Sequence, residues 1–212
     1  MQLKTAKSLI AGAAMALGLA ATAHAQTYSF GCVTFNSPSN CATGSAQLGL
    51  SFTQGVGYVD FLFSNTGTAA SSITDIYFDW TDPADTFAPG QITSSTGVSF
   101  AWGASPSNLP GGQELNPDFS ANLGADSNAP VQQSGVNPGE WVAFRFLTGT
   151  TSTANDLYSG DLRVGLHVQG FANGGSESFV NVASPAPEPE SYALMLAGLA
   201  VVGATARRKR KA

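Results

Sequence analysis

Between Gln26 and Ala186 the apolar residues fall in short runs, alternating or continuous, rich in β-branched and aromatic side chains. Gly, Asn, Ser and Pro clusters separate these runs, and no stretch sustains a 3.6-residue apolar period, so the pattern is that of strands rather than helices. Strands are expected over Tyr28–Phe35, Gln47–Phe52, Val56–Ser64, Ile73–Trp80, Val98–Trp102, Trp141–Leu147, Asp161–Val168 and Ser178–Val182. Asn65-Thr66-Gly67, Asn137-Pro138-Gly139-Glu140 and Asn173-Gly174-Gly175 supply residues that tolerate positive φ, as turns require. About eight strands in one domain's length of chain predict an all-β fold, an antiparallel β-sandwich or jelly roll over residues 26–183, with a barrel as the alternative. Pro106–Gly139 fits this scheme least, with five prolines and little alternation. A structureless loop of that length is unusual in a compact domain, so Leu115, Phe119 and Leu123 are expected to pin part of it to the sandwich as a strand or 3₁₀ turn.

The two ends depart from this pattern. Residues 1–25 read as a secretory signal: Lys4 and Lys7, an apolar run from Leu9 to Ala21, then the small-x-small site Ala23-His24-Ala25. Such a segment is removed on export, which places the mature start at Gln26 and implies the Sec translocon and a signal peptidase as partners. At the other end, Ser184-Pro185-Ala186-Pro187 forms a stiff linker within residues 184–191, followed by an apolar stretch over 192–206 and a basic tail over 207–212. Pro187 and Pro189 fix φ and lack an N–H, so the Pro187-Glu188-Pro189 tripeptide is extended and accessible. Fifteen residues of helix span roughly 22 Å, short of a ~30 Å hydrocarbon core, which suits a processed signal better than a permanent tail anchor. Arg207, Arg208, Lys209, Arg210 and Lys211 hold their end in the cytoplasm.

This order of elements resembles the PEP-CTERM sorting signal of Gram-negative envelopes. The resemblance is carried by Pro187, Glu188, Pro189 and Ser191, the small-residue helix with Leu194, Leu196, Gly198 and Leu199, and the terminal Arg/Lys cluster; Glu190 is a departure. It implies recognition by exosortase, transient anchoring in the inner membrane, and residence at the outer surface or in an exopolysaccharide matrix. Nothing about the ligand of the body follows from it.

With both signals set aside, the body keeps two cations, Arg145 and Arg163, against twelve carboxylates, a net charge near −10. Such a surface repels phosphate backbones and anionic lipid, which excludes nucleic acid and leaves the C-terminal helix as the only membrane contact. Cys32 and Cys41 are the only cysteines. An even pair in an exported body is expected to form one disulfide, contributing roughly 2.5–3 kcal/mol for so small a loop.

Candidate chemistry is sparse. His167 alternates with Leu162, Val164, Leu166 and Val168, which puts it on a polar, solvated face, and the chain has neither a GxSxG elbow nor an HExxH motif. Asp75, Asp79, Asp82 and Asp85 are the one acidic cluster, with Asp75 and Asp79 expected beside Tyr77 on a polar strand face. Converging carboxylates at a strand end are calcium chemistry, but the spacing matches no calcium loop, and turn capping or strand-edge protection is the expected role. No other cofactor is implied. Trp80 and Trp102 alternate in phase with core residues, and Trp141 is the remaining candidate for sugar stacking, although burial is the expectation there too. The expected function is therefore an exported, non-enzymatic surface or matrix protein, with a carbohydrate- or calcium-binding module as the alternative.

Overall fold

The computed structural model describes residues 26–82, 87–148, 156–157 and 159–182. The expected signal peptide, with Ala23 and Ala25, and the tail, with Pro187, Glu188, Pro189 and Arg207 to Lys211, lie outside them, as does Asp85. The fold is all-β and antiparallel. Ten strands run in chain order: β1 (Gln26–Cys32), β2 (Leu48–Gly55), β3 (Tyr58–Asn65), β4 (Ser72–Trp80), β5 (Phe87–Ser94), β6 (Phe100–Trp102), β7 (Leu123–Ser127), β8 (Trp141–Thr148), β9 (Leu162–Gln169) and β10 (Glu177–Val182). Helix α1 covers Pro38–Gln47 and a single turn, α2, covers Val131–Ser134.

The strands are ordered β5-β8-β3-β2-β1-β10-β9-β4-β7-β6. β1 divides its pairing: Gln26 to Tyr28 face β2, whereas Ser29 to Cys32 face β10. It thereby joins a front sheet (β5, β8, β3, β2) to a back sheet (β10, β9, β4, β7, β6). The two sheets meet through inward side chains, as alternation requires. Phe78 of the back sheet packs edge-on to Phe61, Phe63, Phe144 and Phe146 of the front, with ring centroids as close as 4.8 Å to Phe146. Trp80 and Trp102 pack onto this core from β4 and β6, as their phase indicates. At the far side the edges nearly close a barrel, where the Trp102 indole N–H donates to the Gly90 carbonyl at 3.0 Å. Both edges resist further pairing: β6 has three residues, and β5 carries Pro89 and a register break between Pro89 and Ile92.

Two strands and a helix go beyond the sequence pattern. Phe87–Ser94 holds a Pro-Gly step and Leu123–Ser127 a Gly and an Asp, residues depleted in central strands but tolerated where tertiary pairing supplies the hydrogen bonds. Helix α1, PSNCATGSAQ, has poor intrinsic propensity. Its context imposes it: Pro38 opens it, Cys41 is bonded to Cys32 with Cα atoms 5.3 Å apart, and Gly44 lies flush on the Phe179 ring. A Cβ at Gly44 would stand 2.1 Å from Phe179 Cζ, so only glycine permits that approach. The fully buried Glu177 carboxylate accepts the N–H groups of Asn36 (3.0 Å) and Ser37 (2.6 Å) and the Thr34 hydroxyl (2.6 Å), capping the approach to the helix. The turns at Asn137–Glu140 and Asn173–Gly175 form as expected, with positive φ at Gly139, Gly174 and Gly175.

Candidate functional site

The outward faces of the two sheets differ, and that difference locates the site. On the back sheet the outward residues of β4 are Asp75, Tyr77 and Asp79. They share one strand face as expected, yet all three are buried. Alternation shows only that a face is polar, and here residues 103–122 fold back across it. Leu109 and Phe119 pack on Tyr77, with Ala104, Leu115, Ala121 and Val180 around them. Gly165 makes room for the strap: a Cβ there would meet Leu109 Cδ2 at 2.9 Å. Asn108 ties the strap to itself by donating to the Phe119 carbonyl and accepting from the N–H groups of Leu109 and Ala121. Leu115 and Phe119 thus do pin the long segment, and Leu123 begins a strand.

Arg163 fastens the strap to the sheet. Its guanidinium donates to the carbonyls of Pro117 (2.7 Å) and Asp118 (2.6 Å), pairs with the Asp79 carboxylate and lies over the Phe119 ring. Burial of both charges makes the pair interdependent, since removing one partner strands the other away from water. Asp75 has a different neighbour. It is opposite Asp126 on β7 and His167 on β9, and Ser178 lies beyond His167 on β10. Asp75 accepts from the Thr74 hydroxyl at 2.6 Å, and burial together with the Asp126 carboxyl pushes it up to about 7. Asp126 Oδ2 accepts the Ser105 N–H, while its buried Oδ1 lacks a donor unless Asp75 supplies the proton. His167 is half-buried rather than solvated, is held below its ordinary range chiefly by that burial, and has Nδ1 3.3 Å from Ser178 Oγ. The row Ser178, His167, Asp75 has the residue types of acyl transfer, but Ser178 is fully buried.

The acidic cluster therefore divides. Asp75 turns to Asp126 and Asp79 to Arg163, while Asp82 is exposed just beyond β4. Nor is β4 an edge strand needing protection; it lies between β9 and β7. Among the described residues the one close grouping of metal-ligating types is Cys32, Cys41 and Glu177, and both its sulfurs are consumed by the disulfide.

Among the described residues no segment folds over the outward face of the front sheet. Its outward residues form four rows across β2, β3, β8 and β5, fixed by the register: Gly49, Ser64 and Trp141; Ser51, Leu62, Ala143 and Thr93; Thr53, Asp60 and Arg145 with Gln91; and Gly55, Tyr58, Leu147 and Ala88. Arg145 donates Nε–H and an Nη2–H to the two Asp60 oxygens at 2.7 and 2.6 Å, and its guanidinium stacks 4.0 Å above the Tyr58 ring. This fork-to-fork pair holds one orientation. Between the pair and Trp141, the small side chain of Ala143 leaves a shallow depression of about 130 Å³ walled by Asp60, Gln91, Thr93 and Arg145. Trp141, expected to be buried, is 38% exposed. Asp60, Gln91 and Thr93 carry no recognisable motif; only the pairing of β3, β8 and β5 brings them together.

Fold and faces together define a disulfide-bonded all-β domain with one sheet face covered by its own chain and the other uncovered by any described residue. A family model, the PEP-CTERM protein-sorting motif, matches residues 185–211, the segment beginning three residues after β10. The chain thus carries the motif of an exported protein processed by exosortase. No curated protein and no solved structure matches the chain. Among the described residues no helix is long and apolar enough to cross a membrane.

Proposed function

We propose that this chain is a non-enzymatic protein of the outer surface or exopolysaccharide matrix of a Gram-negative bacterium. It enters the Sec pathway, loses residues 1–25 to a signal peptidase, is held briefly in the inner membrane and is released by exosortase. The observation that carries this reading is the sorting motif at 185–211, placed directly behind a body whose twelve carboxylates face two cations. Such a body stays hydrated and repels anionic lipid once its basic tail is gone. The burial of Ser178 and the division of the acidic cluster between separate partners favour a binding or structural role over catalysis.

Mass spectrometry of the protein recovered from its native host tests this. The expected N-terminus is Gln26, and no peptide containing Leu194–Ala206 accompanies the mature protein. Recovery of surface protein still ending at Ala212 refutes the reading. Replacing Arg207 to Lys211 by neutral residues is expected to abolish retention before processing.

A further inference from the structure

We propose that the open face of the front sheet binds a neutral polysaccharide, holding the chain between the Trp141 ring and the Asp60–Arg145 pair. This goes beyond export and processing, which concern only the two ends of the chain.

Trp141 and Arg145 are four residues apart on β8 and point the same way, so their side chains stand roughly 13 Å apart along the strand. That span suits a run of sugar units rather than one. Trp141 is flanked on β3 by Ser64 and bonded on the β5 side to Ser95, whose hydroxyl accepts the Trp141 N–H at 3.1 Å. Its row neighbours are small and the residue is 38% exposed, which leaves ring surface for the C–H face of a pyranose, where burial and dispersion act. Ala143 then forms the floor of the depression, flanked by Leu62 and Thr93. At the far end, the Asp60 carboxylate and Arg145 guanidinium lie side by side and are already locked to each other. They present acceptor and donor positions at neighbouring points, the arrangement that vicinal hydroxyls meet, without ordering cost at the moment of binding. Gln91, Ser51, Thr53 and Thr93 add neutral amide and hydroxyl groups around them.

Charge decides which polysaccharide. The face contains one cation and that cation is neutralised by Asp60, while the body around it is strongly acidic. A polyanionic glycan is repelled at range and finds no unpaired cation on this face; a neutral one meets no such barrier.

The test is affinity electrophoresis of the full chain in native gels containing laminarin, hydroxyethylcellulose, dextran or galactomannan, with alginate as the polyanion. Retardation is expected in at least one neutral glycan and not in alginate. Trp141→Ala is expected to weaken that retardation at least tenfold, and Trp141→Phe to keep most of it. Thr93→Trp, which fills the depression from an exposed position, should abolish it. Gln169→Ala, on the opposite sheet, should leave it unchanged, and melting temperatures report that each variant is folded. The proposal is overturned if none of the four neutral glycans retards the parent protein, if Trp141→Ala or Thr93→Trp binds as well as the parent, or if alginate retards equally. Because processing is read separately by mass, failure of glycan binding with correct cleavage removes this inference and leaves the proposed location standing.

Discussion

Replacing Asp75 by asparagine should reverse part of the protein's response to alkaline pH. In the folded protein Asp75 is buried against Asp126 and its carboxyl is pushed up from 3.8 to about 7, first by burial, then by the hydrogen bond and charge of Asp126, with the Thr74 hydroxyl pulling the other way. A carboxyl with a raised folded pKa binds its proton more tightly folded than unfolded. Its contribution to stability is complete below about pH 4, declines as pH rises, and is gone above about 7. A shift of about three units corresponds to about 4 kcal/mol as a ceiling, and reorganisation around Asp126 brings the expectation to about 2–4 kcal/mol. The amide of the Asp75→Asn variant cannot ionise; its N–H can donate to Asp126 Oδ1 while its carbonyl accepts from Thr74. The variant should match the parent within about 1 kcal/mol at pH 4.5 and exceed it by about 2–4 kcal/mol at pH 8.5, roughly 5–15 °C in melting temperature for a domain of this size. Thermal unfolding of both proteins at pH 4.5, 6, 7 and 8.5, with the disulfide intact, provides the comparison. His167, lowered by burial, destabilises as pH falls below 6.5, in the opposite sense, but it is common to both proteins and largely cancels in the difference. Parallel pH profiles, or a variant less stable at pH 8.5, would refute the assignment of the shared proton to Asp75.

Other consequences are as direct. Glu177→Ala removes the acceptor of three donors from a fully buried position and should cost about 3–5 kcal/mol, read as a lower denaturant midpoint, with earlier proteolysis between residues 33 and 47. Cys32→Ser opens the loop closed by the disulfide and should cost about 2.5–3 kcal/mol in chemical denaturation without altering export or processing. Gly165→Val forces Leu109 and Phe119 off the back sheet; hydrogen exchange should quicken across residues 103–122 while the front-sheet amides keep their protection, and uniform quickening would contradict the strap as a separate layer.

The inward half of this fold was legible because it is a local property. Leu162, Val164, Leu166 and Val168 alternate and are all in the core, and Trp80 and Trp102 follow the phase of their neighbours. The disulfide was legible because only one pairing exists. The outward half was not, since alternation separates two faces without saying what covers either. Tyr77 and Asp79 read only as a polar face because their cover, Leu109, Phe119 and Arg163, comes from distant parts of the chain. Asp60 and Arg145 are 85 positions apart and meet only through the β3–β8 register. Helix α1 was hidden for the same reason: Glu177, Phe179 and Cys32 impose it on a sequence that alone prefers turns.

The division of β1 between two sheets sets the order in which the molecule can be made. Ser29 pairs with Val182, about 150 residues away and at the far end of the body, while Tyr28 pairs with Leu50 close by. A chain delivered from its N-terminus can form the front-sheet hairpin early, but the seam joining the sheets waits for the last strand to emerge. That is the slowest kind of contact to close, because nearly the whole chain must be looped to make it. The last strand ends three residues before the sorting motif begins. Completion of the fold and arrival of the sorting motif are therefore nearly simultaneous events, and under the proposed route the domain finishes assembling before its end is released. On the route proposed above, a membrane tether would confine each molecule during the interval when its strand edges are unpaired, so the proposed anchor would also serve as a folding station.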